Sequence, residues 1–454
     1  MKARGSTGPR PLQWQPRRNC WCLAQANKAA FLIEGAAYFA AFREALQRAR
    51  HSIFILGWDI DSRVKLSREA TPDDLPLELG PFLDAVVRRQ PGLQAYVLTW
   101  DFAALYMTER EALTRYRLQW RTHHRLHFRM DSAHPLGGSH HQKIVVIDDT
   151  VAFVGGLDLT QRRWDTPAHI PDDSRRRDPG GEPYSPFHDV QIMVAGAAAA
   201  ALGTLARRRW QRAGGQCVGP KPSDSDPWPA TVKPDLENVE VAIARTEPAY
   251  RGQRAIREIE QLYLDAITAA RDSIYLENQY LTSTTITAAL CRRLEEATGP
   301  EVLLVLPSYA SDWLEQATLD SQRAHRLRQL RQADRFGRLR CYFPQGPGLD
   351  EAGVYVHAKV MIVDDNLVRI GSANLSNRSM GLDTECDLAI AADHNTRVRQ
   401  AILAFRHRLL GQHLGVAPEQ VAQQIASHGS LLAAVDSLRR PPHTLQPLPE
   451  SWLE

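Results

Sequence analysis

The chain has 454 residues, of which 43% are hydrophobic and 24% charged, and a formal net charge of +3. This composition excludes a globally disordered chain and supplies enough apolar residues for two large domains or about three average ones. The slight basic excess does not point to a nucleic-acid partner, and six scattered cysteines argue against a disulfide framework.

The N-terminal "MKARGSTGPRPLQWQPRRNCW" carries positive charge with no apolar stretch behind it, so no cleavable secretory leader is expected. The most apolar segment, Val194 to Ala206, is too short and too rich in small residues to cross a bilayer. The expectation is a cytoplasmic or peripheral membrane protein, exported, if at all, by a route independent of such a leader.

In chain order, "YFAAFREALQRAR" has the three-and-four spacing of an amphipathic helix, and "ARHSIFILGWDI" (residues 49–60) holds a short buried strand. "GLQAYVLTWD" from Gly92 holds another. His123, His124, His127, His134 and His140 follow. Without a nearby glutamate in a zincin spacing they read as a polar, partly exposed stretch rather than a metal site.

Next comes "HQKIVVIDDTVAFVGGLDLT" (residues 141–160), and 216 residues later "HAKVMIVDDNLVRIGSANLS" (residues 357–376) matches it at His, Lys, both Asp, Gly and Leu. Upstream, "ARDSIYLENQYL" (residues 270–281) repeats residues 49–60, and "IEQLYLDAITAAR" repeats the helix ahead of them. Helix, buried strand, crossover and buried strand, given twice, predict an α/β fold. The fold expected is two similar α/β/α lobes with mostly parallel sheets, packed about a pseudo-twofold axis. The expected divisions are an N-terminal lobe over 1–213, a Pro/Gly/Ser-rich linker over 214–235, a C-terminal lobe over 236–410, and a helical extension with a Pro-rich tail over 411–454.

A pseudo-twofold would bring His141 and His357 face to face. Two histidines and two lysines converging on one pocket suit a tetrahedral phosphodiester. One neutral imidazole attacks phosphorus, and the other, protonated, supplies the departing alcohol with its proton. Lys143 and Lys359 neutralise the non-bridging oxygens, and Ser372 and Asn374, with Gly156 and Asp158 at the same places in the first copy, are the further phosphate contacts. Neither a metal nor a cofactor is needed for this chemistry.

A ring nitrogen needs its partner nitrogen held by an acceptor. Asp189 in "FHDVQIMVAG" and Glu385 in "TECDLAIAAD" each open an apolar run downstream of a motif, and the expectation pairs Asp189 with His141 and Glu385 with His357. The first copy carries about 20 extra residues between Asp158 and Asp189, a polar stretch expected to form a lid or substrate-selecting loop.

The pattern His141/Lys143/Asp148/Gly155/Gly156 and its repeat His357/Lys359/Asp364/Gly371/Ser372 resembles the phospholipase D superfamily. The resemblance runs from about Ala37 to Arg408. "ILGWDID", "GGLDLTQRRWDT", "PFHDV", "YLENQYLTS" and "IGSANLSNRSM" most resemble the true phospholipases D without their membrane-targeting regulatory domains.

That resemblance implies hydrolysis of a phosphatidylcholine-like glycerophospholipid at a membrane surface to phosphatidic acid and free head group, through a phosphohistidine. Water or a small alcohol is the implied acceptor, and the protein is expected to be a monomer. It further implies His141 as nucleophile, His357 as acid, and a more architectural role for Asp148 and Asp364 within the motif. The alternatives are a nuclease or other phosphodiesterase using the same pocket, a cardiolipin synthase-like phosphatidyltransferase, and a non-catalytic phospholipid-binding scaffold. Trp58, Trp164 and Trp313 read as core residues, and the arginines from Arg326 to Arg340 as a solvated face.

Overall fold

A computed structural model describes residues 12–101, 122–221, 224–309 and 313–448, and for 313–320 it describes the backbone alone. The ends of the first and last expected segments, and the side chain of Trp313, therefore lie outside the described residues.

The first half runs β1 (Cys22–Ile33), α1 (Gly35–Gln47), β2 (Ser52–Gly57), α2 (Leu79–Arg89), β3 (Gln94–Trp100), β4 (Leu126–Asp131), β5 (Ile144–Ile147), β6 (Val151–Gly155), β7 (Phe187–His188), β8 (Val190–Ala195) and α3 (Ala197–Arg212). The second runs β9 (Leu236–Glu247), β10 (Ile256–Arg257), α4 (Glu258–Ala269), β11 (Ser273–Glu277), α5 (Thr284–Glu295), β12 (Glu301–Val305), α6 (Trp313–Ala333), β13 (Leu339–Gln345), β14 (Tyr355–Val356), β15 (Val360–Val363), β16 (Leu367–Gly371), α7 (Asn377–Gly381), β17 (Glu385–Ala391) and α8 (Thr396–Leu414). Beyond these lie α9 (Pro418–His428), α10 (Leu431–Leu438) and β18 (Thr444–Pro447).

The main sheet has the strand order β18-β13-β12-β11-β15-β16-β17-β9-β1-β8-β6-β5-β2-β3-β4. Apart from β18, the order is palindromic about the β9–β1 ladder, where Cys22 faces Ile243 and Ala26 faces Val239. The duplication seen in the sequence thus becomes a pseudo-twofold axis through one continuous sheet.

The α/β class is as expected. Parallel pairing holds within β2-β3-β4 and β11-β12-β13, while the strands between these triplets pair antiparallel. The reason is local. Ile147 pairs with Val151 and Val363 with Leu367, which leaves three residues to turn each corner and no room for the helical crossover that parallel pairing needs. Asp148, Asp149 and Asp364 take positive φ in these turns, which a short polar side chain tolerates.

Both faces of the sheet are buried. Ile53 and Ile55 pack with α1 and α2 on one face, and Phe54 and Leu56 pack with α3 residues such as Leu202 and Leu205 on the other. Strands covered on both sides need continuous apolar runs, which is why β2, β5 and β15 show no alternation.

The Asp of each motif belongs to this framework. Asp148 accepts from the backbone N–H groups of Arg50, His51 and Ser52 at 2.7, 2.7 and 2.8 Å, and from Ser225 Oγ at 2.6 Å. Asp364 repeats the arrangement with Arg271, Asp272 and Ser273 at 3.1, 2.8 and 2.9 Å. Each ties the corner after β5 or β15 to the start of β2 or β11, so the structure gives both a framework role within the motif. Asp148→Ala is expected to destabilise the fold by about 2–4 kcal/mol in denaturant melts, because it strands three donors, while turnover per folded molecule stays within about threefold.

The linker and the tail are tied to the core. Trp228 is buried, Arg48 donates to its carbonyl at 2.9 Å, and Asp235 accepts from the Phe31 N–H at 2.7 Å. In the Pro-rich tail, β18 adds an antiparallel edge strand to β13. Of the arginines read as a solvated face, Arg338 donates to backbone carbonyls including Leu294 at 3.2 Å, and Arg340 pairs with Asp436 at 3.0 Å.

Candidate active site

The two motifs meet where the lobes meet. His357 and Lys359 precede or open β15, and His141 and Lys143 stand in the same places before β5. β14 of the second half pairs in parallel with β7 of the first, and the His357 N–H donates to the His188 carbonyl at 2.8 Å. On the other side of the axis the His141 N–H donates to the Thr384 carbonyl at 3.0 Å. Both histidines are thus pinned to the backbone of the opposite lobe, His357 to β7 and His141 to the residue before β17.

Their side chains cross the axis as well. His141 Nδ1 lies 3.0 Å from both carboxylate oxygens of Glu385, and His357 Nδ1 lies 2.6 Å from Asp189 Oδ2. This corrects the expected pairing, in which Asp189 served His141 and Glu385 served His357. The two carboxylates were identified, but each serves the histidine of the other repeat, because the twofold places the opening of β8 or β17 beneath the opposite motif. With Nδ1 engaged, Nε2 is the ring nitrogen each imidazole has left.

Burial governs the charges. Desolvation, reinforced by Lys143 and Lys359, holds His141 well below the usual histidine range. His357 is lowered likewise by desolvation, then by Lys359, Arg163, Lys143 and His141 itself. Each histidine therefore feels the lysine of the other copy, which puts all four groups in one electrostatic neighbourhood. Burial pushes the Asp189 and Glu385 carboxyls up to about 7 and brings Lys359 down to about 7.

The lysines are not equivalent. Lys143 Nζ pairs with Asp158 Oδ2 at 3.1 Å, so its charge is already balanced. At the position of Asp158 the second copy has Asn374, and Lys359 Nζ meets the neutral Gln279 Oε1 at 3.2 Å. Lys359 makes no direct carboxylate contact among the described residues, though Asp189 and Glu385 act on it from nearby.

Ser372, expected as a phosphate contact, donates its hydroxyl to Glu385 Oε2 at 2.5 Å, and Ser379 donates to Oε1 at 2.7 Å. Both hold the carboxylate that holds His141. Asn374 Oδ1 is buried with no hydrogen-bond partner, so this side chain keeps polar capacity for a ligand. Gly156 is needed for space: a Cβ there would sit 2.2 Å from Asp189 Oδ1. Asp158 Oδ1 accepts from the Trp58 N–H at 2.8 Å, while its other oxygen takes Lys143.

Comparison with known proteins agrees with this geometry. The family model described as "Phospholipase D" matches residues 45–295, more than half the chain, and that described as "Cardiolipin synthase, PLD-like domain" matches 263–408. The chain belongs to the phospholipase D family.

Phospholipase D A of Dictyostelium discoideum is 25% identical over 455 residues, covering 84% of this chain and 35% of that protein. Phospholipase D alpha 1 of Arabidopsis thaliana is 25% identical over 521 residues, covering 83% of this chain and 63% of that one. The chain thus spans between about a third and two thirds of the length of these relatives. Among solved structures, phosphatidylserine synthase of Haemophilus influenzae Rd KW20 superposes with a TM-score of 0.56 at 14% identity, over 90% of this chain and 95% of that one, which shows the shared fold. Among the described residues, no helix is long and apolar enough to cross a membrane.

Within this phospholipase D site the sequence reasoning had missed Gln279, Ser379 and Phe187, whose ring lies 5.2 Å from that of His357. Gln279 stood in the quoted "YLENQYLTS", and only its position after β11 would have given it a role. The long insertion is anchored more firmly than a polar lid. Trp164, Asp165, His169 and Arg176 are buried, Arg176 pairs with Asp165 at 3.2 Å, and Tyr184 donates to the Trp164 carbonyl at 2.8 Å. The five histidines from His123 to His140 include no metal-ligating group among the described residues; His127 meets Gln94 at 3.0 Å and His140 meets Asp131 at 3.2 Å.

Proposed function

We propose that the protein is a phospholipase D that cleaves the P–O bond to the head group in the phosphodiester of a phosphatidylcholine-like glycerophospholipid through a phosphohistidine. The observation that supports this reading is the pair of histidine–carboxylate contacts crossing the axis, which engages Nδ1 of each ring and leaves its Nε2 for the chemistry.

His141 Nε2 attacks phosphorus and the bond to the head-group oxygen breaks. The head-group oxygen takes a proton from His357, leaving a phosphatidyl-histidine. Water then attacks, His357 accepts its proton, and phosphatidic acid departs as the P–N bond breaks. In the free protein both imidazoles favour the neutral form, which suits the nucleophile. The acid is charged by the substrate: a phosphodiester anion entering beside His357 offsets the burial and the lysine field that depress it. Lys359, with no direct carboxylate partner among the described residues, is the principal cation for the non-bridging oxygens, and Asn374 offers a further polar contact.

A covalent phosphatidyl-enzyme is open to any alcohol that reaches it. Transfer to a lipid alcohol is the second reading, favoured by the match of residues 263–408 to the family model named for cardiolipin synthase. Incubation with phosphatidylcholine vesicles and ethanol is expected to yield phosphatidylethanol together with phosphatidic acid and choline. Phosphatidic acid without any phosphatidylethanol would remove the covalent intermediate. Cleavage of single-stranded DNA with lipid left intact would replace the lipid reading by the nuclease.

A further inference from the structure

Behind the His357–Asp189 pair lies a second cluster that the proposed chemistry does not use. Glu34, at the end of β1, His169, in the long insertion, and His188, in β7, are buried, and their ligating atoms all lie within 4.8 Å of one another. Gln412 of α8 reaches the same point: its Nε2 lies 2.5 Å from Glu34 Oε1, 3.0 Å from His169 Nε2 and 3.4 Å from His188 Nδ1.

We propose that Glu34, His169 and His188 form a binding site for a zinc-like divalent cation, with the Gln412 amide, turned over so that its oxygen takes the place of its nitrogen, as fourth ligand.

Four observations carry this. First, the far nitrogen of each histidine is held by a carboxylate: His169 Nδ1 by Asp165 Oδ2 at 2.9 Å and His188 Nε2 by Glu277 Oε2 at 2.8 Å. The near nitrogens, His169 Nε2 and His188 Nδ1, then meet at one spot beside Glu34 Oε1, where the deprotonated rings would offer their lone pairs to a cation, as metal-bound histidines with carboxylate partners do. Second, three nitrogens crowd Glu34 Oε1 while Oε2, equally buried, has no partner. Donors arranged for hydrogen bonding would be shared between the two oxygens. Atoms arranged about a cation need not be; the 3.3 Å from His169 Nε2 to Glu34 Oε1 matches the spacing of tetrahedral ligands roughly 2.0–2.1 Å from a metal, while His188 Nδ1 and Gln412 stand closer to Oε1 and would have to move apart around an ion.

Third, Glu34 is held at φ 74°, a conformation costly for a residue with a Cβ, by its N–H donating to the Asp189 carbonyl at 2.9 Å. Fourth, three buried carboxylates, Glu34, Asp165 and Glu277, gather about His169 and His188, with Arg176 on Asp165, so the cluster needs two further positive charges, which either two imidazolium rings or one dication with neutral rings supplies. The neighbouring group of His188, Glu277 and His413 is a weaker candidate, because both Glu277 oxygens already serve histidines, at 2.8 Å each.

Such a cation would clamp β1, the insertion and α8 together directly behind Asp189. Four protein ligands would leave no open position, so the ion would act as a clamp rather than as a catalyst.

The test is the metal content of the full chain, produced in medium supplemented with zinc, manganese and cobalt and dialysed against metal-free buffer. About one equivalent of a divalent metal is expected, with an X-ray absorption spectrum showing nitrogen and oxygen ligands and no sulfur. Glu34→Gln and His169→Gln should each reduce the content at least tenfold. If these variants do not fold, the wild-type spectrum decides.

Less than a tenth of an equivalent in the wild type, with no uptake after refolding from denaturant with added zinc, would overturn the proposal and leave a proton-sharing cluster. So would a sulfur-containing shell, or content unchanged in the variants. None of these results bears on lipid cleavage, so this site and the proposed activity stand or fall separately.

Discussion

His141→Ala and His357→Ala are each expected to lower head-group release from phosphatidylcholine vesicles by roughly a thousandfold or more, since each removes a group that handles the reacting atoms directly. The two losses should be distinguishable. A departing alcohol such as choline needs a proton, whereas p-nitrophenolate leaves without one. With phosphatidyl-p-nitrophenol as substrate, His357→Ala is therefore expected to recover most of its first-step rate, seen as a burst of p-nitrophenolate followed by slow turnover. His141→Ala should show no burst. Equal recovery in both would mean that neither ring is committed to the nucleophilic role, and a burst in His141→Ala alone would exchange the two assignments. Near-normal release of choline by either variant would sink the two-histidine mechanism.

The two motifs, the α/β class and the pseudo-twofold were legible because they rest on repetition. A duplicated unit with a buried strand beside each histidine has few ways to bury that strand other than beside its copy. The crossing of the carboxylates was not legible. Asp189 and Glu385 follow their own motifs at different distances, and sequence proximity favoured pairing within a repeat. Whether β8 lies beneath β5's motif or beneath that of β15 is decided by the β1–β9 ladder, which pairs residues more than 200 positions apart, as Cys22 with Ile243. Ser372 misled for a similar reason. In the sequence it follows Gly371 as a phosphate contact would, but Glu385, thirteen residues on, takes its hydroxyl. The Glu34, His169 and His188 cluster had no sequence signal, since its members come from three separate elements and none stands at a ligand spacing from another.

The crossed pairing itself gives the second large effect. Glu385→Gln and Asp189→Asn keep the size of each side chain but replace a carboxylate acceptor with an amide, so the ring loses the partner that fixes its tautomer and stabilises its charge. A loss of about 10²- to 10⁴-fold in kcat is expected for each, with KM much less affected. Double mutants separate the crossed from the uncrossed arrangement. Glu385→Gln should cost little more in a His141→Ala background, and Asp189→Asn little more in a His357→Ala background, because residues acting as a unit are not additive. Full additivity in those two cycles, with coupling of Asp189 to His141 instead, would restore the pairing within repeats. Stability should move the opposite way from activity. The Glu385 carboxyl titrates near 7 in the folded chain, against an ordinary value of 4.5, because burial penalises its charge. Folding therefore favours its protonated form, and the stability this contributes is present below about 4.5 and is lost as the pH rises through about 7. The amide introduced by Glu385→Gln carries no charge at any pH. The melting temperature of Glu385→Gln relative to the wild type should rise between pH 5 and pH 8, the interval in which the native carboxylate ionises at a cost the fold accepts for the sake of His141. A difference that stays flat across that interval would show that Glu385 is already ionised at pH 5, and that the His141 pair holds its charge without penalty.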